Sequence, residues 1–346
     1  MRRLTAFLAL LLVLPLVACT SDSDPEPTTE DDGPLVIYSG RKDVLVDPLV
    51  ERFRAATGLD VEVRYGSDAE LIAALEEEGD ASPADVFWAN TAGALGAAAE
   101  ANLLTTLPDS LLAMPDAFVP SSGRWVPVTV RFRVMAYSPA RADTAAFPAS
   151  VLDLPDDQAL RGRIGWTPTY SSFLDFVTAL RETEGEAAAR TWLNGIRTLD
   201  PKAYASNTPM LEALQAGEID VALTNHYYVL RVLQDEAREA GDEPPIATYH
   251  FGAGDAGNLA LVTGAGLLTN GGHRRAAQRF LRFLLSPEAQ AFAAEEVHEY
   301  PVTRDVTVPD YFLPFDEAVA LSPAFDSERL RAIEATTQLL RELELQ

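Results

Sequence analysis

One cysteine, Cys19, is present in 346 residues, so no disulfide can staple the fold. Lysine is almost missing as well: Lys42 and Lys202 are the two in the chain, and arginine carries nearly all of the positive charge. Bases are outnumbered, with 27 Lys and Arg against 52 Asp and Glu, for a net charge of −25. A surface of that sign repels nucleic acid and anionic lipid headgroups, which removes both from the expected partners. The four histidines, His226, His250, His273 and His298, lie far apart, and none has a metal-ligand spacing such as H-E-x-x-H. Neither a G-x-S-x-G elbow nor a P-loop occurs. Nothing sets serine, histidine and aspartate out as a nucleophile with its base, so no enzyme is expected. No internal repeat is visible.

What is there begins with Arg2 and Arg3, followed by an uncharged apolar run over residues 4–18. That is the layout of a signal peptide over residues 1–18, and the run is short for a spanning helix, which needs about 20 apolar residues. It closes on Leu16-Val17-Ala18-Cys19, which resembles the bacterial lipobox. The resemblance implies that Cys19 is lipidated, becomes the N-terminus and anchors the chain to the outer face of the cytoplasmic membrane. A buried free thiol is the plainer reading, but it does not explain a cysteine placed just after an apolar leader. Residues 19–34 carry Asp22, Asp24, Glu26, Glu30, Asp31 and Asp32 with three prolines. With no large apolar side chain they cannot offset ordering entropy by burial, and a disordered acidic tether is expected.

From Leu35 the apolar periodicity is continuous, and roughly 310 residues exceed one ordinary core, so two lobes are expected. Strand and helix alternate: a strand at 35–38, a helix at 44–57 stopped by Gly58, and a strand at 59–65. Then come a helix at 71–78 behind the capping box Ser67-Asp68-Ala69-Glu70 and a strand at 84–88. Residues 125–137 are long and β-rich, enough to leave one lobe and enter the next. The alternation resumes with a strand at 163–166, helices at 171–181, 186–196 and 208–216, a strand at 219–224, and a helix from Tyr227 to about Ala240. Strands at 246–251 and 258–268, helices at 274–285 and 287–296, and a C-terminal helix at 328–344 complete the α/β pattern.

Tyr227 and Tyr228 directly follow an apolar strand and open a helix, with Asn225 placed as an N-cap. Neighbouring side chains on a regular helix point apart. The two converge on one ligand only if the junction is irregular; otherwise they are half-buried aromatics. Paired phenolates suit a hard trivalent cation, and a helix N-terminus favours their charge. Pro168-Thr169-Tyr170-Ser171-Ser172 lies between strand and helix, where free N–H groups and hydroxyls either bind an anion or cap the helix. The run Gly252-Ala253-Gly254-Asp255-Ala256-Gly257 matches the dinucleotide fingerprint in letters, but a β-rich segment follows it, so a flexible turn is expected. Arg131 and Arg133, on the long strand, either face a cleft or pair at the surface.

Taken in order, Leu35-Val36-Ile37-Tyr38-Ser39-Gly40, Ser82-Pro83-Ala84-Asp85-Val86-Phe87, Gly165-Trp166-Thr167-Pro168-Thr169 and Asn225-His226-Tyr227-Tyr228 resemble the ferric-ion-binding proteins of bacterial ABC importers. The resemblance runs over about residues 35–300. It implies a type 2 periplasmic-binding-protein-like fold whose lobes close on ligand by bending of crossing strands. Lobe 1 takes 35–132 and 258–306, lobe 2 takes 133–257, and the C-terminal segment 307–346 packs on lobe 2. It also implies that Tyr227 and Tyr228 bind Fe(III), with a synergistic anion (carbonate, phosphate or citrate) held by Tyr170, Ser171, Ser172, Asn207 and Asn225. A monomer would deliver the iron to an ABC permease.

Two positions depart from that pattern. Lys42 stands where many relatives have a histidine ligand, and Asn90 where they have a glutamate. An ammonium has no lone pair to give and an amide is a weak donor, so iron is expected as an anion or chelate complex, with Lys42 neutralising the anion or a phenolate. The same departures favour a rival cargo, an oxyanion or an organic phosphonate or carboxylate. A surface lipoprotein hydrolase and an interaction protein without a small ligand are the rivals from other classes. The direction in which His226 turns stays open.

Overall fold

The computed structural model describes residues 33–235 and 244–345. The expected leader (1–18), Cys19 with its expected lipidation, and all but the last two residues of the expected tether (19–34) lie outside them. The first lobe opens with β1 (Leu35–Ser39), α1 (Asp43–Thr57), β2 (Val61–Tyr65), α2 (Asp68–Glu78), β3 (Val86–Ala89) and α3 (Ala92–Glu100). β2 and β3 both run parallel to β1. α1 forms because Val46, Leu49, Val50 and Phe53 share one buried face, and it stops where Gly58 takes a left-handed φ of 70°. α2 begins at the expected capping box: the Ser67 hydroxyl accepts from the Glu70 N–H while the Glu70 carboxylate accepts from the Ser67 N–H.

Next comes the long strand β4 (Trp125–Tyr137), and after it β5 (Ile164–Trp166), α4 (Ser171–Glu184), α5 (Glu186–Thr198), β6 (Lys202–Ala203), α6 (Asn207–Gln215), β7 (Val221–Asn225), α7 (His226–Asp235) and β8 (Ala247–Tyr249). β9 (Ala260–Leu267), α8 (Arg274–Leu284), α9 (Pro287–Phe292), β10 (Tyr300–Pro301), α10 (Phe315–Leu321) and α11 (Ile333–Glu342) finish the chain. The sheet order is β2-β1-β3-β9-β4-β7-β5-β6, with β8 and β10 also on β4. From Trp125 to Phe132, β4 pairs antiparallel with β9; from Arg133 to Tyr137 it pairs with β7. One buried strand therefore belongs to both lobes. Each lobe keeps its own core, built around Phe53, Trp88 and Phe280 in the first and around Phe173, Phe176 and Trp192 in the second.

Asp85, in the Ser82–Phe87 motif, has a structural task. Its buried carboxylate accepts from the Val36 N–H (2.9 Å) and the His273 N–H (2.8 Å) and meets His273 Nδ1 at 2.9 Å, tying β1 to the start of α8.

Two stretches differ from the sequence reading. The helix expected at 287–296 gives way after Phe292 to a wider π turn, Ala293–Val297. The glycine run is a turn, as expected, and is pinned by Asn258, whose Nδ2 donates to the Phe251 carbonyl at 3.0 Å and the Gly252 carbonyl at 2.9 Å. The C-terminal helix is split: Ser327–Ala332 is a 3-10 turn and α11 follows. Glu328 in that turn accepts from Trp125 Nε1 (2.7 Å) and the Ser122 N–H (3.0 Å), and its backbone rests on α3. α11 instead sets Leu339 and Leu340, and the residue after it, Leu343, into the second core, so the segment touches both lobes. The helix expected to reach Ala240 is described as far as Asp235. Among the described residues no helix is long and apolar enough to cross a membrane.

The close approach to α3 depends on absent side chains, since a Cβ on Gly96 would stand 2.7 Å from the Glu328 carbonyl oxygen. Gly96→Ala should therefore destabilise the fold by about 2 kcal/mol in thermal unfolding, as overpacked sites do. Gly272→Ala, where a Cβ meets open space, should leave the melting temperature near that of the parent.

Candidate functional site

β7 runs into α7 without a loop: Asn225 is the last strand residue and His226 the first helical one. This abrupt change of geometry makes the junction irregular in the way that convergence requires. The Tyr227 and Tyr228 rings lie face to face, with centroids 4.2 Å apart and planes 30° apart. Tyr170, at the N-terminus of α4, joins them through a 2.9 Å hydrogen bond between its hydroxyl and that of Tyr228.

All three phenols line a cavity of about 170 Å³ between the lobes. Gly40, Lys42, Leu45, Asn90, Arg131 and Glu299 form its first-lobe wall, and Tyr170, Ser171, Ser172, Asn225, Tyr227, Tyr228 and Arg231 face them. Arg133 and Asn207 stand behind the wall, Asn207 within hydrogen-bond reach of the Tyr228 phenol. Arg133 Nη1 donates to Ser172 Oγ (3.3 Å) and Asn225 Oδ1 (3.0 Å), and Asn207 Nδ2 donates to Ser172 Oγ (3.3 Å). Asn225, read as an N-cap, thus gives its side-chain oxygen to Arg133. Surface pairing of the two arginines is overturned, since Arg131 is 9% exposed and Arg133 2%. The alternation of a strand sends both to the same face, under the cleft.

Sequence reasoning missed Arg231 and Glu299. Arg231 lies four residues after Tyr227, hence on the same helix face, and its guanidinium sits 4.9 Å over the Tyr227 ring while Nη2 donates to the Val297 carbonyl at 3.1 Å. Glu299 has no local signal. Tertiary folding alone brings it beside Arg41, whose Nη2 donates to it at 3.1 Å.

Burial raises the pKa of Tyr170, Tyr227 and Tyr228 above the ordinary phenol value, that of Tyr228 to about 12, although the charge of Arg131 works against the rise at Tyr227. Burial also opposes ionisation of Glu299, but Arg41, Arg131 and the Thr129 hydroxyl outweigh it and hold the carboxyl down to about 2. His226 turns away from the cavity. Its Nδ1 accepts from the Phe132 N–H at 3.1 Å, and burial lowers its pKa to about 3, so the ring is neutral. No group of three or more His, Cys, Asp or Glu that could hold a metal occurs among the described residues. The donors on offer are phenolic oxygens, backed by the cations Lys42, Arg131 and Arg231.

Two lobes on a shared strand around a polar cleft define a ligand-binding protein of the hinged type. Residues 35–296 match the model of the bacterial extracellular solute-binding proteins, and the chain belongs to that family. It is 33% identical to the Fe(3+)-binding periplasmic protein of Serratia marcescens over 77% of each chain. It is also 33% identical to the major ferric iron-binding protein of Neisseria meningitidis serogroup B, over 79% of this chain and 82% of that one. Among solved structures, iron-bound HitA from Pseudomonas aeruginosa matches with a TM-score of 0.79 and 31% identity, covering 90% of this chain and 99% of that chain.

Asp175, buried on α4, has its pKa raised to about 7 by burial despite Arg131 and Arg133. A carboxyl whose folded pKa lies above its unfolded value destabilises the fold as it ionises, so the loss grows between about pH 4 and about pH 7. The melting temperature of Asp175→Asn should rise relative to the parent across that window and run parallel to it above.

Proposed function

We propose that this chain captures Fe(III) outside the cytoplasm and delivers it to an ABC permease, the ion being held by the phenolates of Tyr227 and Tyr228 with Tyr170 as a third oxygen donor. The observation that carries this reading is the meeting of three phenols in one cleft, that of Tyr227 buried and those of Tyr170 and Tyr228 half-buried. Phenols that resist ionisation in the empty site are poor ligands for weak cations, and a hard trivalent ion has the charge to displace their protons. Three phenolates neutralise Fe(III), which leaves Arg131, Lys42 and Arg231 to attract an anion into the remaining coordination positions. The Ser171–Ser172 turn, at the N-terminus of α4, offers that anion hydroxyls and N–H groups.

Carbonate, phosphate or citrate each fit this chemistry. Glu299, already engaged by Arg41, takes the part of a fixed counter-charge and not that of a ligand. We take lobe 1 as 35–132 with 258–306 and lobe 2 as 133–257, closing about β4. Cys19, lipidated, would hold the monomer to the membrane beside its permease. The protein catalyses nothing in this account.

Titration of the soluble body with Fe(III) should produce a visible tyrosinate-to-iron charge-transfer band. Tyr227→Phe and Tyr228→Phe should each weaken binding by about 100-fold or more and bleach the band. Absence of a band with every anion tried would overturn the ferric reading. Because Tyr228 stays protonated to about 12 in the empty cleft, each phenolate formed releases a proton. Affinity should therefore fall about tenfold per pH unit per phenol as the pH drops below neutrality, measured by competition with a chelator.

A further inference from the structure

The strand that joins the lobes has a gap in its pairing on the edge opposite β9. β10 pairs with β4 as far as Val130, and β7 takes up the pairing at Arg133. Arg133 sends its N–H to the Leu259 carbonyl at 2.9 Å. Phe132, between the two pairings, has a buried N–H that donates to no strand carbonyl; it meets His226 Nδ1 at 3.1 Å. A buried N–H left without an acceptor costs a full desolvation penalty, so this bond is a structural requirement at the lobe boundary.

His226 is the first residue of α7, immediately before the two phenols. Its ring is wedged among Phe132 (centroids 6.2 Å), Tyr300 (4.9 Å) and Phe312 (5.9 Å), aromatics that belong to the core of the first lobe. The geometry points to His226 as a positioning residue: through Nδ1 it pins the start of the tyrosine-bearing helix to the pivot of the crossing strand, so that the phenol pair keeps its stacked geometry as the lobes move. The neutral ring acts as an acceptor and touches no ligand. The inference rests on the ferric reading for its spectroscopic consequence but on the apo structure for the bond itself.

The test compares His226→Phe, which keeps a ring and deletes the acceptor, with His226→Asn, whose Oδ1 reproduces the place of Nδ1. In the iron-free protein, amide hydrogen exchange at Phe132 should accelerate about tenfold or more in His226→Phe and return to within about twofold of the parent in His226→Asn. With Fe(III), the charge-transfer maximum should shift and affinity fall about tenfold in the first variant, and both should recover in the second. Parent-like exchange and an unshifted band in His226→Phe would overturn the assignment. So would a His226→Asn variant as impaired as His226→Phe, which would mean that an acceptor in the place of Nδ1 does not account for the role of His226. If the parent itself shows no band, the ferric reading fails, and the exchange contrast still decides the role of His226.

Discussion

The cleft depends on one constraint, the sharing of β4 between two sheets. The strand is buried almost end to end and changes partner between Phe132 and Arg133. Alternation along a strand then dictates what stands at the pivot: Arg131 and Arg133 on one face, Phe132 on the other. Arg131 reaches the cavity, Arg133 braces Ser172 and Asn225 from behind, and the Phe132 ring joins the aromatic cluster around His226. The floor of the cleft, its rear support and its link to the tyrosine helix thus come from three consecutive residues.

Charge follows the same layout. A protein of net charge −25 gathers Lys42, Arg131 and Arg231 around three phenols. Buried guanidinium groups are tolerable only with partners, and Glu299 supplies one for both Arg41 and Arg131. The phenols are held protonated by burial and lie under positive potential, an arrangement suited to a strongly charged cation that arrives with or beside an anion. Low-charge ligands would gain little from it.

Much of this was legible in the sequence because its signals are local. The capping box at Ser67, the Gly58 stop, the length of residues 125–137 and the strand-to-helix junction at Tyr227 are each written within a few residues. The phenol pair was read as needing an irregular junction, and the direct passage from Asn225 to His226 supplies it. What was missed is non-local. Glu299 enters the cleft from late in the chain, and Arg133 and Asn207 brace Ser172 from the rear through contacts that no spacing announces. The C-terminal helix broke because Gly93 and Gly96 let a backbone turn settle on α3. Arg231 is the exception, since its four-residue offset from Tyr227 is a local signal.

The most direct test of the account is diffraction from iron-loaded crystals at the iron absorption edge. The account predicts one anomalous peak in the cleft, about 2 Å from the phenolate oxygens of Tyr227, Tyr228 and Tyr170 as hard metal–oxygen bonds require, with density for an anion on the side of Arg131. A peak elsewhere, or none in the cleft of a crystal shown to contain bound iron, would contradict it.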